Sequence, residues 1–461
     1  GRERVPLYIN LFGPDTDGSI AATLRAAGVS VYQYHPDLHF YYAEGDAQAL
    51  WNALAMDSVL FIEPVPLSTP ADTEAQPSVN ADRLWGTQFD GRPRDGRQIK
   101  IGVMDSGMNT AHQDFANLSG GMFGYNRTTE QNWWNDLNGH GTHVSGTLFG
   151  QGNAQFRYRG FASGFRESPL EPYDLLHSKV FRANNFSEGN SVGEGLEDMR
   201  GRGNANIKRH LFNYSGGFAG TNLPGTDAQS RTVDLAFGED ILPVIAAGNE
   251  GPNAGTVRAP GVAKGALTVG NIWDDGGTTV DTMVSTSSRG PTGDNRFKPD
   301  VVAPGCWIDS TSNTDNSGYL FGWSGTSMAA PHVAGLAATL KLRYNWPAWA
   351  IRAIIMGTAI DLGHGRNNQG LGKVDALLSH SAWNGGWETW FWQNGGTGDL
   401  RYIDVNVPAG CTKLRVVLVY PDPPAASGAS VALVNDLDLY VQTGTLTTDR
   451  SGNWSSLSSR N

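Results

Sequence analysis

Six short runs rich in Ile, Leu and Val recur through the middle of the chain, at 99–103, 176–181, 207–214, 242–247, 266–269 and 301–303. Helical or glycine-rich segments of crossover length separate them. Parallel strands need such crossovers, and strands covered on both faces lose the alternation of apolar and polar residues. The pattern therefore predicts an α/β domain with a doubly wound parallel sheet between two layers of helices. In such a sheet ligands collect at the carboxyl ends of the strands. The first run ends there on a carboxylate, Ile101-Gly102-Val103-Met104-Asp105.

Two further stretches supply what an acyl-transfer site needs. Gly325-Thr326-Ser327-Met328-Ala329-Ala330-Pro331-His332 runs from a small-residue turn into an apolar segment that reads as a helix to about Tyr344. Ser327 then stands at a helix N-terminus, where unpaired backbone N–H groups and the macrodipole favour a developing oxyanion. Asn138-Gly139-His140-Gly141-Thr142-His143 opens a second helix. An alcohol is a weak nucleophile that needs a base, and the base needs an orienting carboxylate; Asp105, His140 and Ser327 supply the three in the order Asp, His, Ser.

With Ala246-Ala247-Gly248-Asn249-Glu250-Gly251, these segments resemble the subtilisin-like serine peptidases over about residues 80–380. The resemblance implies a peptidase with Ser327 as nucleophile, His140 as general base and then acid, and Asp105 as its orienting carboxylate. It also implies an oxyanion hole formed by Asn249 and the Ser327 N–H. Ser215-Gly216-Gly217 matches the family segment that pairs with substrate and walls its specificity pocket; the middle position is usually bulkier, so Gly216 leaves that wall without a side chain. Protein or peptide substrates follow, with no cofactor for catalysis. A fold of this kind that has lost activity and serves as a binding scaffold is the alternative from another class.

Before this region, residues 5–65 repeat strand, helix, strand twice, the ferredoxin-like βαββαβ order. That unit resembles the inhibitory prodomain of the family, so residues 1–75 are read as prodomain plus linker and as the enzyme's own intramolecular inhibitor. An unrelated α+β domain stays open, as does a self-processing enzyme that keeps the unit as a regulator. The 64–77 stretch, rich in Pro, Ser, Thr and acids, reads as an exposed linker. The catalytic domain is assigned to 76–383. From 384 to 461, short β-rich runs at 402–407, 414–420 and 436–442 suggest an antiparallel β-domain. Leu433-Val434-Asn435-Asp436-Leu437-Asp438-Leu439, Ser288-Arg289-Gly290-Pro291 and Lys298-Pro299-Asp300 resemble the alkaline, oxidation-resistant subgroup with a C-terminal β-sandwich, of which these residues supply only part.

A formal charge of −11 without any Lys/Arg block excludes a surface built for nucleic acid. No apolar run approaches the ~20 residues of a membrane span. Gly1-Arg2-Glu3-Arg4 does not begin a signal peptide, although the resemblance implies a secreted enzyme, expected as a monomer. Cys306 and Cys411 are too few for a disulfide framework; two separate thiols are favoured over one bridge. His143 and His332 match family positions that are structural. Asp436 and Asp438 offer hard oxygens on one strand face, and structural calcium is expected from the resemblance, against the reading of a solvated strand face.

Overall fold

The computed structural model describes residues 5–35, 40–64, 99–118, 121–165, 174–201, 206–274, 281–381 and 414–442, with isolated positions and a short strand beyond them. The chain divides into two compact units, Gly1–Thr69 and Pro70–Asn461. Most of the expected linker lies outside the described residues.

The first unit is β1 (Val5–Leu11), α1 (Ser19–Ala26), β2 (Ser30–His35), β3 (Phe40–Gly45), α2 (Ala47–Leu54) and β4 (Val59–Pro64). The strands form an antiparallel sheet in the order β2-β3-β1-β4. Ile9, Leu24, Ala43 and Ala53 have no exposed surface and form the centre of its core. Both helices receive a carboxylate at the N-terminus, where four backbone N–H groups lack helical partners. Asp46 Oδ1 accepts from Ala49 N at 2.9 Å. Asp15 accepts from Ile20 N and Ala21 N, and from the Tyr41 hydroxyl at 2.6 Å.

The second unit is built on β5 (Ile101–Asp105), β6 (Met122–Asn126), α3 (His140–Phe149), β7 (Leu175–Lys179), α4 (Ser191–Met199), β8 (Leu211–Tyr214), α5 (Ala228–Gly238), β9 (Leu242–Ala246) and β10 (Leu267–Trp273). It continues through β11 (Thr282–Met283), β12 (Val301–Pro304), β13 (Ile308–Thr311), β14 (Tyr319–Trp323), α6 (Thr326–Tyr344) and α7 (Ala348–Thr358). Strands β6-β7-β5-β8-β9-β10 run parallel, β12 pairs in parallel with β10, and only the two-residue β11 is antiparallel. The chain visits β6 and β7 on one side of β5 and then returns to β8 on the other. The switch in strand order thus falls at β5, and its carboxyl end carries Asp105.

Burial on both faces explains the apolar runs: β5, β7, β8 and β9 are buried at every residue. One face packs against α3 and α6, whose alanines and glycines let the helices approach closely. On the other face α4 lies so near β5 that a Cβ on Gly102 would stand 2.1 Å from Met199 Sδ. No helix among the described residues is long and apolar enough to cross a membrane.

The C-terminal residues are described only in part, and they include one antiparallel pair. Residues 414–420 carry no ladder, and the strand expected at 436–442 is confined to Tyr440–Gln442, paired with Trp454–Ser456. The run at 402–407 lies largely outside the described residues. Val417 and Val419 pack against the catalytic core, and Ala432 N donates to Asp294 Oδ2 at 2.9 Å. Val417 and Val419 are half-buried there, while Leu414 and Val416 stay exposed. Cys306 and Cys411 are both free thiols.

Candidate active site

Four carboxyl ends converge at the switch point: Asp105 closes β5, Phe181 follows β7, Ser215 follows β8, and Gly248 and Asn249 follow β9. Helices α3 and α6 bring His140 and Ser327 in from their N-termini.

Asp105 and His140 are joined. Asp105 Oδ1 lies 2.7 Å from His140 Nδ1 and also accepts from Ser106 N at 2.8 Å. Asp105 is wholly buried and His140 is nearly so. Burial pushes the imidazole down, but the neighbouring Asp105 carboxylate more than offsets it and holds the His140 pKa above its ordinary 6.5.

The N-terminus of α3 is fixed by a residue that sequence reading missed. Asp136 accepts from Gly139 N at 2.9 Å, from Thr142 N at 2.8 Å and from the hydroxyls of Thr142 and Ser106. Ser106 Oγ in turn accepts from Gly141 N at 2.9 Å, tying the helix start to the residue after Asp105. An acid a few residues before a probable helix is an available capping signal. Gly141 permits this approach: a Cβ there would meet Gly107 O at 2.2 Å.

Ser327, partly exposed, is the second residue of α6. Its carbonyl faces Pro331, four residues on, which has no N–H to offer. Ser215 Oγ donates to Ser327 O at 2.9 Å instead, and Asn213 Nδ2 donates to Ser215 Oγ at 3.0 Å. The Ser327 hydroxyl donates to Ser215 O at 3.2 Å; it makes no hydrogen bond to His140 in this conformation. Asn249 Oδ1 accepts from Thr326 N at 3.0 Å and from Thr326 Oγ1 at 3.2 Å. Because the backbone N–H can only donate, the oxygen must face it, and the Asn249 amide nitrogen is turned the other way as a donor.

The space beside Gly216 is filled. A Cβ at 216 would stand 2.4 Å from Phe181 Cζ, so the Phe181 ring, stacked on Tyr214 at 5.8 Å, occupies the place where a larger residue would sit. Gly217 O accepts from Arg258 Nη1 at 3.2 Å, and Phe218 pairs with Ala259. Opposite, Ser187 bridges Phe181, and helix α4 already begins at Ser191. Two bridged residues leave no periodicity from which the sequence could place this hairpin to the residue.

His143 Nε2 bonds Ile308 O at 3.0 Å and its ring stacks on Trp323 at 5.0 Å; burial drives its pKa down to about 3. His332 Nδ1 bonds Met328 O at 2.9 Å and is pushed down to about 4. Both are neutral parts of the frame. Asp436 and Asp438 are exposed, outside the strand, and no group of three or more His, Cys, Asp or Glu suited to a metal occurs among the described residues. The carboxylate that orders this loop is Asp422, which accepts from Val434 N and Asn435 N, both at 2.9 Å.

The chain is similar to known proteins in sequence and in fold. The family model described as Peptidase_S8, subtilase family, matches residues 96–375. Serine protease AprX of Bacillus subtilis is 32% identical over 272 residues, 54% of this chain and 58% of AprX. Subtilisin Savinase of Lederbergia lenta is 31% identical over 282 residues, 61% of this chain and 90% of that protein. The matched region thus spans under two thirds of AprX. In fold, the chain is similar to the crystal structure of the epidermin leader peptide processing serine protease (EpiP) of Staphylococcus aureus. The TM-score is 0.50 at 19% identity, covering 83% of this chain and 99% of that one.

Proposed function

Because the chain belongs to the subtilase family, we propose that it is a serine endopeptidase working through Ser327, His140 and Asp105. The observation that carries this reading is the 2.7 Å contact of Asp105 with His140 Nδ1. It fixes the tautomer and leaves Nε2 as the acceptor. Rotation of the Ser327 side chain from Ser215 O gives its proton to Nε2 as Oγ attacks the peptide carbonyl carbon. The oxyanion forms between the Ser327 N–H and the Asn249 amide nitrogen. His140 then protonates the leaving amine, and water, deprotonated in the same way, releases the acyl group. Labelling with a fluorophosphonate tests the reading: the protein should label at Ser327, and an unlabelled protein would favour the inactive scaffold.

Residues 1–75 act, in this reading, as an intramolecular inhibitor whose linker is cut by the enzyme's own site. A tether holds its tail at roughly millimolar local concentration, so modest affinity keeps the precursor silent. The βαββαβ order of the first unit supports this. Ser327→Ala should accumulate uncut, whereas active protein should begin within residues 66–78. Active protein that retains Gly1 would make the unit a retained regulator or an unrelated domain. Export from the cell, a monomeric state and membership of the oxidation-resistant subgroup rest on the resemblance alone. Structural calcium is a further proposal from the resemblance: Asp436 and Asp438 would supply two carboxylates, with carbonyl and water oxygens completing the six to eight that the ion takes.

A further inference from the structure

Strands β7 and β8 flank β5, and their register sets His177 and Asn213 on either side of Val103, two residues before Asp105. Residues paired across a ladder, and residues two apart along a strand, share a face. His177 therefore lies on the face that carries Asp105. Above it runs the segment leading to α3: Trp133 stacks on the His177 ring at 6.2 Å and 15°, and Lys179, the next residue on that face, donates to Asn135 O at 2.7 Å. His177 and Asp105 have no exposed surface. Among the described residues neither nitrogen of His177 has a hydrogen-bond partner, and the same is true of Asp105 Oδ2 and Asn213 Oδ1. A buried N–H and a buried anionic oxygen that both lack partners carry desolvation penalties that one bridge removes.

We infer that His177 is a positioning residue for the Asp105–His140 pair, its ring N–H reaching Asp105 Oδ2 through buried water. A buried water makes two to four hydrogen bonds; His177, Asp105 Oδ2 and Asn213 Oδ1 offer that number on one face. The groups facing His177 are Asp105 on β5, Asp136 in the segment before α3 and Lys179 on β7; burial outweighs the two carboxylates and, with Lys179, pushes its pKa down to about 4. A neutral ring can donate to the carboxylate without competing for the proton that His140 takes up. Asp105 then has donors on both oxygens, which holds its plane toward His140.

This inference rests on the peptidase reading only for its kinetic arm. His177→Phe keeps a ring on Trp133 and removes the donor, while His177→Gln retains one. In the full chain, His177→Phe should lower kcat about tenfold at unchanged KM, the effect of one hydrogen bond to a charged group. Its acid limb should move up by about half a pH unit, because a carboxylate short of a donor holds the imidazolium proton more tightly. His177→Gln should recover both. Wild-type kcat and an unmoved limb in a folded His177→Phe protein overturn the inference. Should that variant not fold, or the wild type lack activity, 15N NMR of the Ser327→Ala protein decides. One His177 nitrogen should carry a hydrogen-bonded, exchange-protected proton. A freely exchanging proton, with neither nitrogen hydrogen-bonded, rules the contact out, whereas an inactive wild type with a protected His177 proton overturns the peptidase reading alone.

Discussion

At the scale of single residues, the proposed mechanism separates groups that react from groups that hold them. Ser327→Ala should abolish hydrolysis of a casein substrate with little change in melting temperature, since one partly exposed hydroxyl contributes little to the core. Asn249→Ala should lower kcat by about 100–1000-fold with KM nearly unchanged, the size of the loss known for one side-chain oxyanion donor in subtilisin. Unchanged kcat would remove Asn249 from the oxyanion hole. The pH dependence follows from the Asp105–His140 pair. In the proposed mechanism His140 must be neutral to accept the serine proton, and Asp105 holds its pKa above 6.5. Activity should therefore fall as pH drops through a midpoint above 6.5. A kcat/KM profile flat from about pH 5 to 9 would contradict it.

At the scale of elements, two helix N-termini and four strand ends must meet within hydrogen-bonding tolerance, and glycine makes the closest approach possible. Gly141→Ala would drive a Cβ into the Gly107 carbonyl, a backbone atom that cannot swing aside. The expected cost is about 3 kcal/mol of stability, with a fall in kcat as α3 and His140 are displaced; denaturant unfolding and steady-state kinetics measure the two. Ser215→Ala removes the donor that stands in for the missing N–H of Pro331, leaving Ser327 O unpaired. That site should lose about 1–3 kcal/mol.

At the scale of the whole molecule, the two units have separate cores. The first is small enough to be marginal by itself, and it depends on Asp15, which caps α1 and binds Tyr41. Burial would raise the Asp15 pKa, but the hydrogen bonds from Tyr41, Ala21 and Ile20 outweigh it and hold the carboxyl below its ordinary range. A lowered native pKa means stability that is present above the unfolded value of about 3.9 and is lost as pH falls through the native one. Asp15→Ala should unfold this unit at lower temperature at neutral pH and flatten its acid transition; thermal melts of the Ser327→Ala chain across pH test this.

Much of the architecture was legible because it is written in local pattern. Buried parallel strands read as apolar runs, the βαββαβ order reads from alternating periodicities, and Asp105, His140 and Ser327 each sit where a strand or helix visibly ends or begins. At 414–420 the apolar residues belong to an extended segment whose Val417 and Val419 pack on the core of the second unit. Other features depend on residues far apart in sequence. Phe181 takes the space beside Gly216, Asp136 and Ser106 lock α3 to β5, Ser215 replaces the hydrogen bond that Pro331 forfeits, and His177 is set on the face of Asp105. Local pattern suffices to say which elements form and which polar groups stand at their ends. Register, crossover and packing alone decided which of those groups touch, because a hydrogen bond depends on distances of a few tenths of an ångström that no local pattern specifies.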